Sequence, residues 1–187
     1  NPICFAIPTF DAIPHPVVAD MATSQVAMGK IRRRAAVGDS LEPEWTSTPS
    51  HEPVADPEHF QEGEDVVLPI GGRTTGHKGF ALGTIADLFA GIVSDSKVSG
   101  QSEPEIGNHA VFFVADPTLF TTPGAIEDRV RAFDEFIQNT DRSNASTGKT
   151  TFGDRPMLPG APEHKKSKTH ETEGIPMPAA DLRTLYE

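Results

Sequence analysis

Leu68-Pro69-Ile70-Gly71-Gly72-Arg73-Thr74-Thr75-Gly76-His77-Lys78-Gly79-Phe80 is the stretch that decides how this 187-residue chain is read. The apolar segment 66–70 has the length and β-branched content of a buried strand. It runs into glycines, which let a backbone approach a ligand closely. The loop expected over 71–79 then delivers His77 and Lys78 to the start of a strongly apolar helix reaching about residue 94. Amides and the dipole at a helix N-terminus favour an anion, so the junction is physically suited to a diphosphate or a carboxylate. A tight helix contact beside an ordinary loop accounts for the same spacing equally well. Gly79, Gly83 and Gly91 fall near one face of that helix, at about 1 kcal/mol each relative to alanine. Something is therefore expected to pack very close to that face.

Upstream, the apolar runs 3–7 and 16–19 read as two strands with a turn between them. Asp20, Thr23 and Ser24 offer caps for a helix over 22–36, whose last turns carry Lys30, Arg32, Arg33 and Arg34 where the dipole favours cations. Asp20-Met21-Ala22 thus marks a strand passing into a helix, where the carboxylate could accept hydrogen bonds from ribose hydroxyls. A plain helix cap, worth about 1 kcal/mol, is the simpler reading of those residues alone. Residues 38–65, rich in Pro, Glu, Ser and Thr, read as an exposed excursion, with a helical turn near Pro57.

Downstream, 95–107 is polar linker and 110–115 a second buried strand, ended by Asp116-Pro117. Ile126, Val130, Phe133 and Ile137 fall at i, i+4, i+7 and i+11, an amphipathic helix begun near Pro123. Residues 138–156 read as irregular and mobile, 157–158 as a short strand, 163–173 as a charged loop and 179–186 as a closing helix. Alternating strands and helices define an α/β or α+β class. The expected organisation is a core over 1–137, with 138–187 a mobile loop and C-terminal extension packing back on it.

Several chemistries are excluded. No two of the 16 glycines stand two residues apart, so the Gly-x-Gly of a Rossmann fingerprint does not occur. Gly148-Lys149-Thr150 imitates the end of a phosphate-binding P-loop, but Ser143 stands where the first glycine is required. Cys4 is the one cysteine, which rules out an intrachain disulfide. His15, His51, His59, His109, His164 and His170 have no metal-ligand spacing and read as exposed or structural. Lys165, Lys166 and Lys168 read as solvated surface. A net charge of −11 disfavours nucleic acid and anionic membranes as partners. The longest apolar run, 80–93, contains Asp87 and is too short to span a bilayer. Asn1-Pro2-Ile3-Cys4-Phe5 lacks a charged n-region and reads as mid-protein sequence. A soluble cytoplasmic protein is expected.

Pro2-Ile3-Cys4-Phe5-Ala6-Ile7-Pro8, Pro16-Val17-Val18-Ala19-Asp20-Met21-Ala22-Thr23-Ser24, the stretch 68–83 and Pro159-Gly160 resemble successive motifs of the malate/L-lactate dehydrogenase family. That family also includes ureidoglycolate dehydrogenase and a cyclic-imine reductase. The likeness runs over most of 1–137 and again near 155–187. It implies a non-Rossmann NAD(P)-binding fold, with a largely antiparallel mixed sheet flanked by helices, usually in a homodimer. The missing Gly-x-Gly agrees with this.

The resemblance implies cofactor contacts at Asp20, Met21 and Ala22, at Lys78, and at the turn Gly160, Ala161 and Pro162. His77 and Gly79 join Lys78 on the chemistry of the junction. Arg73-Thr74-Thr75 separates glycines in that stretch, and Ala161 stands where many relatives have Glu. The implied reaction is hydride transfer between the nicotinamide of NAD or NADP and the hydroxyl-bearing carbon of a small 2-hydroxy acid, or its 2-oxo product. A histidine exchanges the oxygen's proton. The family's proton-transfer histidines precede the Asn-Pro segment, so no residue of this chain is assigned that role. The isolated chain is expected to be inactive, and the N-terminal half of the enzyme to be its partner. The alternative is a non-catalytic nucleotide-binding or oligomerisation module, a truncated or degenerate family member.

Overall fold

The computed structural model describes residues 1–60, 64–101, 109–139 and 156–177. The chain forms two compact units, one of Asn1–Cys4 with Asp20–Val114 and the other of Phe5–Ala19 with Ala115–Glu187. Both early strands are present, β1 over Pro2–Ile7 and β2 over Val17–Ala22, paired in a two-stranded sheet.

β2 runs further than expected, and Asp20-Met21-Ala22 lies in the strand rather than at a helix start. The reason is tertiary. The backbone just beyond it is claimed by the segment 68–70, because Ile70 N donates to Thr23 O at 2.9 Å and Gln25 N to Leu68 O at 2.7 Å. Ser24 forms a bridge with Pro69. Helix α1 is thereby delayed to Met28–Val37, and its N-terminus has no side-chain cap.

In the first unit, Val26, Ile31 and Leu41 are buried, with Met28, Trp45, Phe60 and Val67 packed against them. Gly38, at φ 72°, ends α1 in the left-handed conformation that glycine adopts without penalty. The chain then returns Leu41 to the core. Arg34 lies 5.3 Å over the Trp45 ring and reaches Ser40 O at 3.1 Å. The stretch read as an excursion is therefore partly core, since Leu41, Thr46, Ser47 and Val54 are all buried. Composition hides this because two of those side chains are short and polar. Burying them is cheap once they are hydrogen-bonded, as Thr46 Oγ1 is to Val54 O at 3.2 Å. β3, Thr46–Ser47, pairs antiparallel with β4, Val66–Val67, in the register Thr46↔Val67.

Helix α2 spans Gly72–Val93, so the loop expected over 71–79 is helical, broken once at Thr75 (φ −127°, ψ 18°). Gly71 O accepts from both Thr75 N at 2.9 Å and Thr75 Oγ1 at 3.3 Å, which closes the first turn. Beyond α2, Ser99 N donates to Asp87 at 2.9 Å and holds that carboxyl below its ordinary value. The strand expected over 110–115 is not formed. Residues 109–116 have no regular structure, and among the described residues the backbone of 110–115 makes no backbone hydrogen bond. A strand needs a neighbouring edge, and none is supplied there by the described residues.

In the second unit, Asp116 caps a 3-10 turn over Pro117–Leu119 by accepting from Thr118 N. Helix α3 spans Pro123–Gln138, as the apolar spacing predicts, with Thr122 accepting from Ala125 N and a proline in the first turn. Residues 163–173, expected as a charged loop, lie in helix α4, Ala161–Glu173. This helix is polar all round, so it has no apolar period to betray it. It is laced by pairs such as Lys168–Glu171 at 2.9 Å. Leu158 is buried without forming a strand. The expectations for 140–155 and 179–186, and the Gly148-Lys149-Thr150 loop, lie outside the described residues. Among the described residues, no helix is long and apolar enough to cross a membrane.

Candidate functional site

The first unit brings two of the three predicted site segments together. The end of β2 and the first half of α2 meet through Thr23, Ile70, Gly79 and Gly83. Ile70 N bonds Thr23 O, and a Cβ placed on Gly79 would collide with the backbone amide and carbonyl of Ile70. A Cβ on Gly83 would stand 3.1 Å from Thr23 Oγ1. That hydroxyl donates to Asn1 O at 2.9 Å, and Asn1 Nδ2 in turn reaches Gly83 O at 3.4 Å. The close-packed glycine face inferred from sequence therefore exists, and what it packs against is the chain itself, backbone of Ile70 at Gly79 and the side chains of Thr23 at Gly83 and Val98 at Gly91. Gly72, Gly76, Gly79 and Gly91 are the buried residues of α2.

Gly83→Ala is accordingly expected to lower thermal stability, because Thr23 can yield only by straining its bond to Asn1. Overpacking typically costs about 1–3 kcal/mol, and this site should fall at the low end since its neighbour is a side chain. Thr23→Ala should restore much of the loss in the double variant. A Gly83→Ala protein that melts higher than the parent would show that the face is open.

The helical break at Thr75 leaves His77 and Lys78 in the turn that follows it, both exposed. Among the described residues, neither their side chains nor that of Asp20 make any hydrogen bond or ion pair. Asp20 and Met21 are exposed on β2, and Ala22 is half-buried. The site thus offers an uncommitted carboxylate on one element and an uncommitted ammonium and imidazole on the other.

His77 also borders an open cleft of about 460 Å³, lined further by Ser47, His51, Arg73, Thr74 and Phe80. Arg73 Nη1 donates to His51 O at 2.7 Å and Nη2 to Thr46 O at 3.1 Å. Its backbone N donates to Glu44 Oε2 at 3.0 Å. Arg73 therefore braces the 46–51 turn, where His51 holds a positive φ of 68° that a non-glycine residue seldom adopts. Sequence reasoning missed that His51 lines the same cleft as His77. They lie 26 positions apart, in a stretch that composition presented as exposed, and no local signal joins them.

The third predicted segment belongs to the second unit. Gly160 has φ 94° and opens α4, with Ala161 and Pro162 in its first turn. Val18 N donates to Pro159 O at 3.0 Å, and a Cβ on Gly160 would stand 2.9 Å from Pro16 O. The turn is pinned to the start of β2 by backbone. Beside it, the rings of His15 and His164 lie 5.3 Å apart. Neither the sequence spacing nor the composition singles out that pair.

A family model described as malate/L-lactate dehydrogenase matches residues 1–186. This chain belongs to that family. It is 30% identical to a Delta(1)-pyrroline-2-carboxylate reductase of Ancylobacter novellus, over 96% of this chain and 49% of that protein. It is 32% identical to an L-lactate dehydrogenase of Cupriavidus necator, over 75% and 40%. It is 26% identical to hydroxycarboxylate dehydrogenase B of Escherichia coli K12, over 100% and 49%. Among solved structures, malate dehydrogenase from Entamoeba histolytica superposes with a TM-score of 0.77 at 19% identity, covering 99% of this chain and 52% of that one. A putative malate/lactate dehydrogenase from E. coli gives 0.76 at 24%, over 98% and 49%. These likenesses establish the α/β fold of the family, with its helices and small sheets. The chain spans about half the length of these relatives, or less.

Proposed function

We propose that this chain is the cofactor-binding part of an NAD(P)-dependent oxidoreductase acting on the CH–OH group of small 2-hydroxy acids. The observation that carries the proposal is membership of the family over residues 1–186, combined with the meeting of β2 and α2 at Thr23, Ile70 and Gly79. When bound, the nicotinamide supplies the two-electron donor or acceptor. The residues present suit such a group. Among the described residues the Lys78 ammonium has no partner to compete with a diphosphate, and His77 beside it can add a donor. The Asp20 carboxylate is free to accept from ribose hydroxyls. Met21 and Ala22 lie beside it, and Gly79 seats α2 on Ile70.

In the second unit, Gly160, Ala161 and Pro162 present a backbone turn held rigid by Pro159 and Val18. The proton exchanged at the substrate oxygen falls, in this reading, to a histidine in the part of the family fold that this chain does not contain. A cytoplasmic homodimer completes the proposal.

The experiment is titration with NADH and with NADPH, followed by nicotinamide fluorescence, for the parent and for Lys78→Ala. Loss of a charge-assisted hydrogen bond should weaken binding by about 1–3 kcal/mol, roughly 5- to 150-fold. Equal affinity in a folded Lys78→Ala protein would remove Lys78 from the site. Binding of neither nucleotide by the protein assembled with the rest of its fold would sink the proposal.

A further inference from the structure

We infer that His15 and His164 form a two-imidazole site for a divalent transition-metal ion of the zinc, copper or nickel class, which ties the connection between β1 and β2 to the first turn of α4. Both residues belong to the second unit, and nothing in the site depends on the oxidoreductase reading. They stand near opposite ends of the chain, so no spacing rule joins them. The fold brings their half-buried rings to 5.3 Å between centroids, with planes 37° apart. A metal-bound imidazole nitrogen lies about 2.0–2.1 Å from the ion, which puts each ring centre about 3.2 Å from it. Two such spokes at about 90–110° hold the centroids about 4.5–5.2 Å apart, and the observed spacing sits at the upper edge of that range.

A plain ring contact has the same spacing, so the nitrogens decide. His15 Nδ1 lies 3.0 Å from Pro16 O. A carbonyl oxygen only accepts, so Nδ1 carries the hydrogen and the lone pair of the neutral ring is left on Nε2. Fixing one ring nitrogen on a backbone carbonyl is how metal-binding histidines are oriented. Among the described residues the His164 ring makes no hydrogen bond, so it is free to turn a lone pair toward His15.

Backbone holds the two residues in place. Thr9 is buried, and its Oγ1 donates to His15 O at 2.9 Å. Val18 N donates to Pro159 O and His164 N to Gly160 O, each at 3.0 Å. Both imidazoles thus hang from segments already joined, which lowers the ordering cost of closing on an ion. The local charge is close to balanced. Glu163 and Lys165 flank His164, and Lys168 is paired with Glu171 at 2.9 Å. Imidazole suits zinc, copper and nickel, whereas magnesium and calcium take oxygen. Among the described residues no third histidine, cysteine or carboxylate completes the set. The remaining positions therefore fall to water, and the ion is exchangeable rather than a closed structural metal.

The test is titration of the untagged protein with zinc, read by calorimetry and by Tm, with magnesium as the control. Zinc should bind saturably and raise Tm, as an ion held by the folded chain must, and magnesium should do neither. His15→Gln and His164→Gln should each weaken binding at least tenfold and abolish the rise in Tm. His170→Gln, on the same helix but outside the pair, should leave both unchanged. The Hε1 resonances of His15 and His164 should shift together during the titration, which identifies the ligands even where a variant fails to fold. Three results would each overturn the inference. One is a parent protein whose Tm does not respond to zinc, which would make the pair a ring contact only. Another is undiminished zinc affinity in a folded His15→Gln/His164→Gln double variant, because the ion would then be held elsewhere. The third is saturable binding that moves neither resonance of the pair.

Discussion

Gly79→Ala should lower the thermal stability of the protein, and Gly79→Val should lower it further. In an exposed helix the first change would be favourable, since alanine is about 1 kcal/mol better than glycine in a helix interior. At Gly79 the added methyl meets the amide and carbonyl of Ile70. Those atoms are backbone, and Ile70 N is already committed to Thr23 O. They cannot rotate aside as a side chain would, so α2 must lift from the 68–70 segment. Overpacking of this kind costs about 1–3 kcal/mol. In a domain of this size, that lowers Tm by roughly 2–4 °C per kcal/mol. Gly29→Ala and Gly124→Ala are the controls, since both lie in helices with nothing within 4 Å of the added Cβ. They should melt at or above the parent. Differential scanning calorimetry on the three alanine variants decides the matter, and a Gly79→Ala protein as stable as Gly29→Ala would refute the close approach.

Gly160→Ala is expected to be at least as damaging, for two reasons that act together. At φ 94° an L side chain is strained whatever space it has, at about 1–3 kcal/mol for such a position. The new Cβ would also stand 2.9 Å from Pro16 O, a backbone atom on the segment leading into β2. Relief requires the 159–160 turn to withdraw, which breaks the bond from Val18 N to Pro159 O. The variant should lose stability and, in an assembled protein, affinity for NAD(H) or NADP(H). Hydrogen exchange at the Val18 amide gives a local readout, expected to accelerate in Gly160→Ala. Unchanged protection there, with unchanged Tm, would show that the turn is not pinned to β2.

Local rules succeeded where the whole signal lies within one element. The four apolar residues of α3 repeat at helical spacing and its start is marked by Thr122-Pro123, so its boundaries were legible to within a residue or two. They failed where a distant backbone competes. Ser24 and Thr23 are good helix caps, yet the segment 68–70 holds them extended and α1 begins at Met28. They failed again at α4, whose polar sequence has no apolar face, and at 110–115, whose strand pattern meets no partner among the described residues.

The candidate site divides in the same way. Lys78 and His77 are candidates the sequence offers because glycines beside a cation carry their chemistry locally, although α2 begins at Gly72 and places them inside the helix rather than at its start. His51 is not such a candidate, since only the grip of Arg73 on His51 O and Thr46 O brings that turn to the cleft beside His77.

The sequence by itself determined the family, through ordered motifs spread from Pro2 to Gly160, and excluded a Rossmann fingerprint through the spacing of its glycines. Those are properties of residue identity and order, which need no coordinates. Only the tertiary structure decided which way α2 faces. Amphipathic reasoning turns large apolar side chains inward, but the backbone at 68–70 approaches so closely that only glycine fits beneath it. The large side chains of α2 are left outside because, at Gly79, a methyl group would already be too big within.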